Sequence, residues 1–93
     1  MNQEEAKAIL TRRLGLYRER SFDQLAARVG SCDVELVSGP SGATYHFEFE
    51  IVWDGKAGGD VRVIGGIDDG GLRALVPLTD AFIMAPSGDF VDE

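Results

Sequence analysis

His46 and Cys32 are the only histidine and the only cysteine in this 93-residue chain. They are its obvious candidates for general-base or nucleophilic work near neutral pH. A four-residue loop at Gly39–Gly42 pairs Leu36 with Tyr45 and Val34 with Phe47, and so sets His46 across from Glu35 on the polar side of a hairpin. A carboxylate beside an imidazole can orient a catalytic base. On an open sheet the same pair is a solvated contact of about 0.2–1 kcal/mol, and no nucleophile or oxyanion motif is fixed nearby by the sequence. Glu35, Glu48 and Glu50 share that face. Acid–base work by two carboxylates needs a cleft that raises one pKa, whereas an open face keeps both solvated.

The other polar clusters read as turn chemistry. Asp54, Asp60, Asp68 and Asp69 fall in two Gly-rich loops that lack the alternating oxygen ligands and terminal glutamate of a calcium loop. The glycines of GKAGGD and IGGIDDGG are not followed by the lysine and Ser/Thr of a phosphate loop. One cysteine excludes an internal disulfide and a cysteine-based zinc cluster. The sequence therefore points to no metal and no cofactor.

One feature departs from a plain solvated face. Ile64 and Leu75 fall opposite each other on the polar side of a second hairpin, with Val52 close by, and Arg62 and Arg73 flank them. An apolar patch ringed by arginines is the composition of a recognition surface. Arg62, Ile64, Arg73 and Leu75 are accordingly the candidate partner-binding residues, unless the Phe82–Met84 segment covers them.

The elements that position these residues follow from periodicity. Ala6, Ile9, Leu10, Leu14 and Tyr17 recur at helical spacing, with Glu4 and Glu5 in the first turn and Gly15 as an expected end or bend. Ser21-Phe22-Asp23-Gln24 fits a capping box, Phe22, Leu25, Ala26 and Val29 form one apolar face, and Gly30 fits a left-handed stop. Leu25–Ser31 reads like the opening of a helix-turn-helix, but a strand pattern follows where a recognition helix would have to be.

From Cys32 onward the period is two. YHFEFEIVW (45–53) carries apolar residues at every odd position, Val61–Ile67 alternates, and so does Leu72–Leu78. Asp69-Gly70 is a type I′ hairpin signal that pairs Ile67 with Leu72, Gly65 with Ala74 and Val63 with Val76. The expected fold is α+β: an amino-terminal helix or helix pair (3–29) on one face of a four- or five-stranded antiparallel meander (32–78). A short fifth strand or extended tail (80–91) completes a single domain, and Ala85-Pro86-Ser87-Gly88 suits a turn. A helix laid on a curved antiparallel sheet resembles the architecture of cystatin-like folds, which implies a fold and no activity.

Charge narrows the function class. The net charge is −7, and it is uneven: the first thirty residues carry a small positive excess and the rest a large negative one. A nucleic-acid ligand needs a basic face, so none is expected. No membrane partner is expected either, because no apolar run approaches the ~18 residues of a spanning helix. The amino terminus lacks the pattern of a signal peptide, and a cytoplasmic protein is expected. The reading is a non-catalytic domain that acts by self-association, as a homodimer, or by binding an unidentified protein. The alternative is a small ligand-binding or hydrolytic protein with a helix–sheet pocket that uses His46 or the loop aspartates.

Overall fold

A computed structural model describes residues 2–70 and 77–93. Helix α1 (Gln3–Arg18) and the short α2 (Phe22–Ala26) precede four strands, β1 (Cys32–Ser38), β2 (Thr44–Trp53), β3 (Val61–Asp68) and β4 (Leu78–Met84). The strands form one antiparallel meander in the order β1-β2-β3-β4. The α+β architecture expected from the periodicity is the architecture present.

Helix α1 starts where the Asn2 side chain accepts the Glu5 backbone N–H, with Glu4 and Glu5 against the positive end of the dipole and Arg18 at the other end. It passes through Gly15 without ending there, because Leu14 on one side and Tyr17 on the other stay packed on the core. The capping box at Ser21 is present in both directions: the hydroxyl accepts Gln24 N–H, and the Gln24 side chain accepts Ser21 N–H. Gly30 takes a positive φ of 95°, and its N–H donates to the Ile51 carbonyl, which ties the exit of α2 to β2.

The odd-position stripe of β2 is buried. Tyr45, Phe47, Phe49 and Ile51 face the helices together with Val61, Val63 and Ile67 of β3 and Phe82 and Met84 of β4. Leu10 and Leu14 of α1 complete this core, and α1 lies chiefly over β3 and β4. At Gly65 the helix comes so close that an added Cβ would stand 3.0 Å from Leu10 and Leu14 side-chain carbons.

Two registers differ from the sequence expectation. In the first hairpin Leu36 pairs with His46 and Val37 with Tyr45, one residue away from the expected pairing. The turn is the cause. Gly39 N–H donates to the Ala43 carbonyl, Gly42 adopts φ 88°, and the connection holds an odd number of residues where a four-residue loop was expected. A shift of one residue turns a strand over, so Val37 enters the core and Val34 and Leu36 face solvent, 54% and 68% exposed.

In the second hairpin Ile67 pairs with Leu78, Gly65 with Asp80 and Val63 with Phe82, where Leu72, Ala74 and Val76 were expected. The type I′ turn needs a positive φ at both central residues, and Gly70 has one while Asp69 does not. The Asp68 carboxylate accepts Gly70 N–H instead. Pairing with Leu78–Met84 places Phe82 and Met84 opposite Val63 and Val61, and these side chains together bury more apolar surface than the Val76 and Leu78 of the expected register would. Residues 71–76, which include Arg73 and Leu75, lie outside the described residues.

The tail is neither loose nor a full strand. Residues 85–88 turn as expected, Phe90 bridges to Met84, and Val91 N–H donates to the Ile83 carbonyl on the outer edge of β4. Arg18 holds it down: its guanidinium stacks 4.0 Å from the Phe90 ring centroid and forms a bidentate ion pair with Glu93.

A polar clamp fastens the start of α1 to the β1–β2 hairpin. The Glu5 carboxylate accepts the Ser41 backbone N–H (2.9 Å), the Ser41 hydroxyl (2.7 Å) and the Tyr45 hydroxyl (2.7 Å). Position 39 must be glycine for this, since a Cβ there would meet the Glu5 carboxylate at 2.6 Å. The Ser41 and Tyr45 hydroxyls hold the Glu5 pKa below its ordinary 4.5, and the Glu5 carboxylate pushes the Tyr45 phenol from 10.0 up to about 12. A depressed carboxylate stabilises the fold above its unfolded pKa, and that contribution is lost as the pH falls below 4.5. A raised phenol stabilises the fold below pH 10.0, and that contribution is lost as the pH rises toward 12. Urea unfolding midpoints are expected to drop at both ends, and Tyr45→Phe is expected to flatten the alkaline drop. An alkaline limb unchanged by Tyr45→Phe would contradict this account of the clamp.

Candidate functional site

The outer face of the sheet can be read in rows across the strands. Leu36, His46 and Asp68 form one row, and Val34, Glu48, Gly66 and Thr79 the next. Cys32, Glu50, Ile64 and Ala81 follow, then Val52, Arg62 and Ile83. His46 therefore does not face Glu35. Its Nδ1 lies 3.1 Å from Asp68 Oδ1, with nearly half of its side chain in solvent. Glu35 is on the opposite face, paired with Arg13 of α1 at 2.7 Å. The first hairpin's register is again the reason, since it sends odd-numbered β1 side chains toward the helix.

Cys32 is exposed, and its Sγ lies 3.8 Å from Glu48 Oε1. Desolvation first, and then the Glu48 and Glu50 carboxylates, push the thiol pKa up. The thiolate is the nucleophile, so this cysteine is poorly activated. Alkylation by iodoacetamide at neutral pH is expected to be slower than that of a free cysteine, and Glu48→Gln should speed it. Labelling at or above the free rate would contradict the geometry.

The loop aspartates are not one site. Asp54 and Asp60 sit before β3 and Asp68 at its far end, about 25 Å away for eight strand residues. Asp54 is engaged by Arg62, with Nε at 3.0 Å and a second guanidinium nitrogen at 2.6 Å. Among the described residues no group of three or more His, Cys, Asp or Glu side chains is placed to hold a metal ion.

Of the arginine-ringed patch, Arg62 and Ile64 are among the described residues. Arg62 and Ile64 share the outer face with Val52 and Ile83, but Ala81 occupies the position across from Ile64 where Leu75 was expected. Arg73 and Leu75 are among the undescribed residues.

Strand β1 stands where the sequence reading placed it, but its register, and with it which of its side chains face out, was missed. It is an edge strand, and its outward backbone can be identified. Gly39 bonds to Ala43 at one end and Ser31 to Ile51 at the other. Antiparallel hydrogen bonding alternates, so the odd residues of β1 point their N–H and C=O groups at β2 and the even ones point away. The Asp33 carboxylate accepts the outward Val34 N–H at 2.8 Å. Beyond it, the N–H and C=O of Leu36 face solvent.

The other edge is managed differently. On β4 the Asp80 carboxylate accepts Ala81 N–H, and the tail takes the Ile83 carbonyl. Among the described residues, one edge is thus covered by the chain itself and the other is left open. Beside the open edge, on the helix side, lies a groove of about 530 Å³ between α1 and β1. Ile9, Leu16, Val37 and Pro40 supply its apolar lining, and Arg12 and Arg13 also line it. It exists because α1 is displaced toward β3 and β4. A strand laid along β1 would find backbone partners at Leu36, apolar surface at Val34 and Leu36 on one face, and this groove on the other.

No protein-family model, curated protein or solved structure matches this chain. No described helix is long and apolar enough to cross a membrane.

Proposed function

We propose that this chain is a non-catalytic interaction domain that binds by strand addition at β1. The observation that carries the reading is the asymmetry of the sheet edges: β4 is closed by residues 85–93, while β1 presents an open backbone between exposed Val34 and Leu36 and an apolar groove. Long, open, apolar edges invite aggregation, and proteins ordinarily blunt them. Here a single carboxylate, Asp33, blunts one end, and the middle of the strand stays open. Strand addition takes affinity from main-chain hydrogen bonds and specificity from alternate side chains. Burying Val34 and Leu36 would add about 1–2 kcal/mol each.

Peptides selected from a random displayed library on the immobilised protein test this directly. Extended segments with apolar residues at alternate positions are expected, and their binding should fall about tenfold or more on Leu36→Lys, a loss of roughly 1.4 kcal/mol or more. Selected peptides that bind the wild type and Leu36→Lys equally would place the working surface elsewhere.

A further inference from the structure

We infer that the strand β1 accepts is β1 of a second copy of this chain, in an antiparallel pairing with Leu36 on the two-fold axis; this rests on β1 being the working edge. The argument is one of register. Only the even residues of β1 carry outward backbone groups, so a self-pairing must match even with even. Placing Glu35 on the axis sets the two Glu35 carboxylates against each other. Placing Val34 there sets Asp33 against the second copy's Glu35. Like charges directly opposite are destabilising.

With Leu36 on the axis both conflicts disappear. Leu36 meets Leu36, Val34 meets Ser38, and Glu35 falls across from the second copy's Val37. Moving the axis one position further, to Val37, also avoids opposed acids, but it sets Val34 against Pro40, which has no N–H to give, and separates the two Leu36 side chains.

Charge complementarity supports the same register. Val37 lines the groove that Arg12, Arg13 and Glu5 also line. The Glu5 carboxylate is taken up by Ser41 and Tyr45, so a carboxylate placed across from Val37 enters a groove with two arginines. In each copy Arg13 already holds its own Glu35 through Oε1, so Arg12 is the cation left, and the incoming Glu35 would bridge its own Arg13 and the Arg12 across from it. The contact is isologous: each copy gives Glu35 and receives it at Arg12, and the two sheets join into one of eight strands. The apolar side chains of β1 that face out in the monomer, Val34 and Leu36, come to lie inside a continuous outer face. A net charge of −7 per copy opposes association at a distance, so the dimer is expected to tighten as salt screens that repulsion.

The test combines solution mass with position-specific crosslinking. Sedimentation equilibrium should show a concentration-dependent dimer that Leu36→Lys converts to a folded monomer. In a Cys32→Ser background, Leu36→Cys should form an intermolecular disulfide on mild oxidation. Directly opposed, hydrogen-bonded residues have Cα atoms ~5.5 Å apart, within the ~4.4–6.8 Å a disulfide spans. Val34→Cys in the same background should not crosslink, because the two Val34 positions lie four residues apart along the pairing. Crosslinking at position 34 rather than 36 would overturn the register. A wild type that stays monomeric at every accessible concentration would overturn the second copy as occupant, while peptide binding lost on Leu36→Lys would still uphold strand addition. A dimer that persists unchanged in Leu36→Lys would overturn both.

Discussion

Phe47→Ala should lower the melting temperature by about 15–30 °C, whereas Leu36→Ala should barely move it. Phe47 is 1% exposed, pairs with Ile67 across the sheet and stacks with Phe49 at a centroid distance of 6.4 Å. Truncating such a residue costs about 3–5 kcal/mol, and in a domain this small each kcal/mol moves the midpoint by roughly 4–8 °C. Leu36 belongs to the same hairpin and is equally apolar, but it is 68% exposed, so its truncation should stay within about 0.5 kcal/mol. Thermal melts of both variants at a dilution that keeps the protein monomeric would check the pair. Equal, large losses would mean that β1 pairs in the register with Leu36 in the core.

The second large effect is expected where helix and sheet come closest. Gly65→Val should cost about 1–3 kcal/mol, because even the first carbon of the new side chain would stand 3.0 Å from Leu10 and Leu14. The Leu10 and Leu14 side chains would have to give way against β3. The neighbouring glycine is the control. At Gly66, on the outer face, an added Cβ meets nothing closer than 3.7 Å, and a strand glycine gains order from a side chain. Gly66→Ala should be neutral or stabilising. Melting temperatures for the two variants, with hydrogen exchange along α1, would show it; comparable losses at both positions would contradict the assignment of faces.

The elements that bury large continuous stripes could be read directly from the chain. The β2 stripe from Tyr45 to Ile51 has one solution, since its alternative is four large apolar side chains in water. The helical layer was legible for the same reason, through Ile9, Leu10 and Leu14, and the capping box marked α2. Strand β1 was legible as a strand from its period of two, but its register was not, because Val34, Leu36 and Val37 give apolar residues to both faces and leave the choice to the turn. A left-handed Gly42 made that choice. The partner of β3 was misread because the Asp69-Gly70 signal is local, while the gain from burying Phe82 and Met84 is not. Ala81 stands across from Ile64 where Leu75 was expected, Arg73 and Leu75 lie outside the described residues, and the turning over of β1 creates an apolar edge that no motif announced. His46 and Cys32, conspicuous by type, are held by acidic neighbours on an open face.

The measurement that tests the central claim most directly is residue-resolved amide hydrogen exchange of the wild type at low and at high protein concentration. Strand addition by a second copy predicts that the Leu36 and Ser38 amides exchange freely when dilute and become protected when concentrated. Ala81, whose N–H is already held by Asp80, should not change. Exchange at Leu36 and Ser38 that is the same at both concentrations, or new protection confined to Arg62, Ile64 and their neighbours, would contradict it.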